Sequence, residues 1–216
     1  MTIDAVSRTR CRAGEEMCGA RAEILRMGGA LCAVLADGFG VGARAAAVSS
    51  LAIGMLRAAP RTGDTVRDVA VSLAESDPGS GRPLTAFTLM RVWEDGLTCV
   101  SRFGTPRTII LRRGRRFDPE REVKETAAGM VESFRLSLHT GDVVTAINGG
   151  LLTAGAAGPL GVNWEENDVA QYLKNAGGAR AGAQKLADLL LAAGASLDGG
   201  RPAQDLAAAV VTVSRG

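Results

Sequence analysis

Few residues in this chain have both the type and the setting to do chemistry. Asp37 is the foremost of them. It ends an apolar run, Leu31-Cys32-Ala33-Val34-Leu35-Ala36, and opens the glycine-spaced stretch Asp37-Gly38-Phe39-Gly40-Val41-Gly42. An Ala/Ser/Leu-rich segment follows, to Leu56. The pattern is that of a strand delivering a carboxylate to its end, a turn whose glycines allow close backbone approach, and a departing helix. A phosphate cradle is excluded on two counts. The acid precedes the first glycine and no βαβ unit surrounds it, so it is not a dinucleotide fingerprint; a Walker loop would need Gly-Lys-Ser/Thr. A hard cation such as Mg²⁺ or Mn²⁺ fits better, because the Asp37 carboxylate and the Gly38 carbonyl are both oxygen donors. The plain alternative is a strand-to-helix turn that binds nothing.

The other chemical groups are sparse. The one histidine, His139, lies in Leu138-His139-Thr140-Gly141-Asp142 and reads as an exposed loop residue, so no Ser-His-Asp set can be assembled. Four cysteines are present, Cys11, Cys18, Cys32 and Cys99, without a Cys-x-x-Cys pair, and no zinc site is expected. Cys32 and Cys99 fall in apolar runs and read as buried thiols. Trp93 and Trp164 read as core or interface residues. The run Arg112-Arg113-Gly114-Arg115-Arg116 reads as a solvated hairpin tip.

These groups need a scaffold, and the composition allows one. The chain has 216 residues, 46% hydrophobic and 22% charged, which suits a single globular domain over residues 1–216. The net charge of +2 gives no push toward nucleic acid or a membrane surface. The start of the chain lacks a basic region followed by an apolar one, and no apolar stretch is long enough to span a bilayer, so a cytoplasmic protein is expected.

Hydrophobic periodicity places the elements. Residues 1–27 read as a hairpin of strands Ile3–Ser7 and Ala22–Arg26, with Leu31–Ala36 as a third strand. Ala43–Leu56 reads as a helix with Val48, Leu51, Ala52, Met55 and Leu56 on one face, and Thr65–Ala74 as a second, capped by Asp64. Residues 77–83 read as a loop. The period then becomes two: strands are expected at Leu84–Glu94, Leu97–Arg102, Arg107–Arg112, Phe134–Leu138 and Val143–Ile147, with Asp95-Gly96 as a hairpin turn. An Ala/Gly-rich loop follows Asn148-Gly149-Gly150. Helices are expected at Asn167–Leu173 and Ala179–Leu191, and a closing strand at Leu206–Val213. Hairpins with segregated helices mean an α+β layout.

In this order the motifs resemble those of the metal-dependent (PPM, type 2C) protein phosphatases, in particular the bacterial branch related to stage II sporulation protein E. The resemblance covers nearly the whole chain. Gly14-Glu15-Glu16-Met17-Cys18-Gly19 is similar to the segment that ends in Gly-Asp in the family. Val34–Gly42 is similar to the Asp-Gly-x-Gly metal motif. Ser101–Pro106 and Ile109–Gly114 resemble the hairpin written Gly-x-x-Pro then apolar-Arg-x-Gly. Gly141–Val144 through Leu152 resembles the Gly-Asp strand and Ser-Asp-Gly motif. Gln204-Asp205-Leu206 resembles the closing Asp-Asp or Asp-Asn pair. The resemblance implies a four-layer αββα sandwich of two antiparallel sheets flanked by helices. It also implies hydrolysis of phosphoserine or phosphothreonine by a water activated between two metal ions, Mn²⁺ or Mg²⁺.

The departures fall on the family's metal-binding acids. Ala20 stands where Gly-Asp would place its aspartate, Asn148-Gly149-Gly150 where Ser-Asp-Gly would stand, and Gln204 where the final metal aspartate would be. Asp37 with the Gly38 carbonyl is intact, and a one-residue slip would let Asp205 take the last role. Two divalent ions close together carry a charge that several carboxylates must offset. The expectation is therefore a phosphatase homologue with a residual metal site of Asp37, Gly38 and Asp205, or none, that acts by binding a regulatory protein or phosphoprotein. The alternatives are an active phosphatase with a reduced site and a scaffold or homo-oligomerisation subunit.

Overall fold

A computed structural model describes residues 1–58, 71, 85–156, 158 and 161–215. Two antiparallel sheets stack face to face. One has five strands: β1 (Thr2–Arg10), β11 (Leu206–Ser214), β10 (Val143–Ile147), β6 (Ile109–Arg112) and β7 (Arg115–Phe117), in that spatial order. The other has six: β2 (Ala20–Met27), β3 (Ala30–Gly38), β4 (Thr85–Trp93), β5 (Leu97–Phe103), β9 (Gly129–Ser137) and β8 (Glu122–Thr126). Helix α1 (Gly42–Ala58) covers the outer face of the six-stranded sheet. Helices α2 (Gly149–Thr153), α3 (Glu166–Asn175) and α4 (Ala183–Leu197) belong to the five-stranded side. The expected αββα sandwich is therefore present.

Strand alternation builds three apolar layers. Leu31, Ala33 and Leu35 of β3 meet Ala207, Ala209, Val211 and Val213 of β11 between the sheets. The other faces of the same strands point outward: Val34 and Ala36 to α1, Leu206, Ala208 and Val210 to α3 and α4. Both strands are buried on both faces, which is why they read as continuous apolar runs rather than as alternation.

Several expectations are corrected. β1 and β2 are not a hairpin: β1 pairs with β11 and β2 with β3, so the segment between them crosses from one sheet to the other. Helix α1 faces inward with Ala45, Ala46, Ser49, Ala52, Ile53 and Leu56, while Leu51 and Met55 are exposed. The reason is close approach at the start of the helix: a Cβ on Gly38 would lie 2.2 Å from the Ala45 carbonyl oxygen, so the first turns of α1 meet β3 through small residues. The loop expected after Gly150 begins within helix α2, which runs on to Thr153. The expected helix Ala179–Leu191 is a short 3-10 turn, Gly178–Ala181, followed by α4, which runs on to Leu197. Arg112 and Arg116 are not merely solvated: the Arg112 guanidinium donates to the buried Asp142 carboxylate at 2.9 Å, and Arg116 pairs with Glu166 at 2.8 Å. Strands β7 and β8 have no counterpart among the expected elements. The expected helix Thr65–Ala74, its cap Asp64 and the loop 77–83 lie outside the described residues, apart from Val71.

Candidate functional site

The site forms at one end of the sandwich, where β3 runs into α1, β10 into α2, and the chain enters β11. Ala20 pairs with Asp37 in the β2–β3 register, so the two residues sit side by side. The Gly38 N–H donates to the Gly19 carbonyl at 3.1 Å, which extends that pairing past the strand end. Gly38 owes its lack of a side chain to α1 pressing on it, as above. This packing holds the Asp37 carboxylate at the rim of the sheet, half-buried.

Asn148, only 1% exposed, ties the two sheets together at this point. Its Oδ1 accepts the Ala207 N–H at 2.9 Å, and that fixes which way the amide faces. Its Nδ2 is thereby turned the other way, and donates to the Asp205 carbonyl at 2.7 Å and to Asp37 Oδ2 at 3.1 Å. An amide NH₂, the positive end of a dipole, thus stands against the one intact motif carboxylate. Burial pushes the Asp37 carboxyl above its ordinary pKa, the Asn148 hydrogen bond pulls it back, and the nearby Asp205 charge pushes it up again.

Asp205 has a different employment. Its Oδ1 accepts the Arg12 N–H at 2.8 Å; its Oδ2 accepts the Gly19 N–H at 2.6 Å and the Ala20 N–H at 3.2 Å. A carboxylate that receives three backbone donors is the cap of the β1–β2 crossover. Space is short around it: a Cβ on Gly19 would lie 2.6 Å from Ala45 Cβ, and one on Gly150 would lie 2.0 Å from the Asp205 carbonyl oxygen. Gly149 is the exception, since a Cβ there would meet nothing within 4 Å. Gln204, which precedes Asp205 in the chain, is exposed.

The structure therefore brings together Ala20, Asp37, Gly38, Asn148, Gly149, Gln204 and Asp205, as the motif order implied. It leaves His139 outside. That side chain is 66% exposed, with Nδ1 3.8 Å from Asp142 Oδ2. Sequence reasoning did not find the Asn148 bridge or the Asp205 cap, because both depend on partners more than fifty residues away. It also missed Glu15, whose Oε2 lies 3.1 Å from where a Gly42 Cβ would be, at the positive N-terminal end of α1. The acid spacing Gly14-Glu15-Glu16 before a buried Gly19 was the available signal.

Comparison with known proteins follows the same outline. The phosphatase domain with part of the regulatory domain of SpoIIE from Bacillus subtilis superposes with a TM-score of 0.73 at 17% identity, over 99% of this chain and 64% of that one. A Mycobacterium tuberculosis structure of RsbU and RsbW domains gives 0.76 at 19% identity, over 98% and 60%. RsbX in complex with magnesium gives 0.67 at 14%, over 98% and 96%. The chain spans less than two thirds of the length of the first and second of these. No curated protein matches by sequence. The fold is that of the PP2C-type (PPM) phosphatase domains. Residues 27–214 match the sequence model of stage II sporulation protein E, and the chain belongs to that family. The match begins after Ala20. Among the described residues, no helix is long and apolar enough to cross a membrane.

Proposed function

We propose that this chain is a phosphatase-fold protein that works by binding, with a centre that does not hold the family's two metal ions. The observation that carries the reading is Asn148. Its amide hydrogens face Asp37 and the Asp205 carbonyl, two oxygens that a cation would otherwise attract, and its orientation is locked by the Ala207 N–H. The remaining donor set agrees. Ala20 and Gly149 have no ligating side chain, and three backbone N–H groups hold the Asp205 carboxylate on the β1–β2 crossover. One half-buried carboxylate and one backbone carbonyl, Asp37 and Gly38, do not fit a pair of divalent ions, which need several anionic oxygens in a rigid set. No hydrolytic step is therefore derived through metal.

The binding partner is a regulatory protein or phosphoprotein. The support is the kinship with a chain that carries RsbU and RsbW domains together. The test is hydrolysis of a phosphoserine peptide and of p-nitrophenyl phosphate with Mn²⁺ or Mg²⁺. The reading expects no turnover above that of a control lacking protein. Turnover that vanishes in Asp37→Ala would overturn it in favour of a phosphatase with a reduced site.

A further inference from the structure

The crossover between β1 and β2 carries two cysteines that the two-metal chemistry does not use. Cys11 and Cys18 are joined in a disulfide, with Cα atoms 4.6 Å apart and a sequence separation of 7. Asp205 comes to them from the far end of the chain. The two Sγ atoms and a carboxylate oxygen of Asp205 all lie within 4.8 Å of one another, and all three residues are partly exposed. The carboxylate is held in place by N–H groups of the same crossover, from Arg12, Gly19 and Ala20. Oδ1 accepts one of these three bonds and Oδ2 two, so Oδ1 keeps a lone pair for another partner.

Soft sulfur with one hard oxygen is a donor set for a borderline cation, not for Mg²⁺ or Mn²⁺. We propose that reduction of the Cys11–Cys18 disulfide turns this cluster into a site for one thiophilic divalent cation of the zinc class. Two thiolates and Asp205 hold the ion, and water takes the fourth position. The chemistry balances in two steps. A dithiol reductant breaks the S–S bond by giving two electrons and becomes a disulfide itself, and Cys11 and Cys18 end as thiols. The cation then binds as both thiols release their protons to solvent, so affinity increases with pH. The crossover that positions Ala20 beside Asp37 is thereby fastened in either state, by a covalent link within it when oxidised and by the metal, which ties it to the start of β11, when reduced. Sequence spacing did not mark this site because its third ligand is remote from the cysteines. It does not depend on whether Asp37 binds metal.

Cobalt(II) is the probe, because its thiolate complexes absorb in the near ultraviolet where free Co²⁺ does not. Protein reduced with a phosphine and titrated with Co²⁺ is expected to develop a thiolate-to-cobalt band that saturates at one equivalent and is abolished by Zn²⁺. Oxidised protein should show none. Cys11→Ser and Cys18→Ser should each lose the band, and Asp205→Asn should weaken Co²⁺ by more than the roughly 10- to 100-fold that outer-shell partners are worth. Each variant is checked by circular dichroism; the two serine variants change partly exposed residues and keep the test open should Asp205→Asn unfold. The proposal is overturned by a reduced, folded protein without a band. It is equally overturned by a band that survives both serine variants, which would place the thiolates at Cys32 and Cys99, or by unchanged affinity in folded Asp205→Asn.

Discussion

The two sides of the candidate site differ in what they hold constant. On the β3–α1 side, Asp37 and Gly38 are set by backbone packing against α1, down to a glycine that no other residue could replace against the Ala45 carbonyl. On the β10–α2–β11 side the side chains are engaged in hydrogen bonds that hold the backbone. Asn148 bonds across the sheets and Asp205 caps the crossover. The difference teaches that a site's shape and its ligands are separable. Backbone geometry is fixed by packing of layers that bury dozens of residues. A ligand set is fixed by a few side chains, which can be turned to structural hydrogen bonds with the fold intact.

Placing acids at the motif positions on both sides is the strongest way to break this contrast. Ala20→Asp with Gly149→Asp and Gln204→Asp returns acids to the motif positions, and the Gly149 site has open space for the side chain. Mn²⁺ affinity is expected to increase at least a thousandfold, about 4 kcal/mol, read by calorimetry. Because the carboxylate introduced at position 20 would stand beside Asp37, the triple variant should be less stable than the parent without Mn²⁺ and recover with it. Next in size is Asn148→Ala. It leaves the Ala207 N–H and the Asp205 carbonyl unpaired in a buried site, and should cost about 3 kcal/mol or more in urea unfolding.

The glycines sharpen the comparison further. Gly38→Ala forces a Cβ against the α1 backbone and should cost about 2 kcal/mol or more, whereas Gly149→Ala should lie within about 1 kcal/mol of the parent. The smallest effect concerns pH. The folded-state pKa of Asp37 is raised, so the folded protein holds a proton that the unfolded chain has released, and stability falls as pH rises through that window. Asp37→Asn removes this dependence. Its urea midpoint at neutral pH should equal or exceed the parent's, and the difference should shrink in acid, below the ordinary carboxylate range.

The α+β layout was legible because β3, β10 and β11 are apolar runs bounded by turn residues, and their mutual order carried the resemblance to phosphatases. Asp37 was legible for the same reason, as the first polar residue after such a run. The β1–β2 link was misread because adjacent strands in sequence usually pair, and nothing local says that the crossover joins two sheets. The inward face of α1 was misread because hydrophobicity favours Leu51 and Met55, whereas the close approach of Gly38 favours alanine. In the sequence Asn148 only opens Asn148-Gly149-Gly150, which stands where Ser-Asp-Gly would. Its importance lies in three partners, Asp37, Asp205 and Ala207, that only the folded chain brings together.

The proposed absence of a two-metal centre rests on the Asn148 amide and on an Asp205 carboxylate held by the crossover. Calorimetric titration of the unmodified, oxidised protein with Mn²⁺ tests it most directly, since oxidation keeps the cysteine pair out of the measurement. No binding tighter than millimolar is expected. Two Mn²⁺ ions bound in the micromolar range, and lost together in Asp37→Ala, would contradict it.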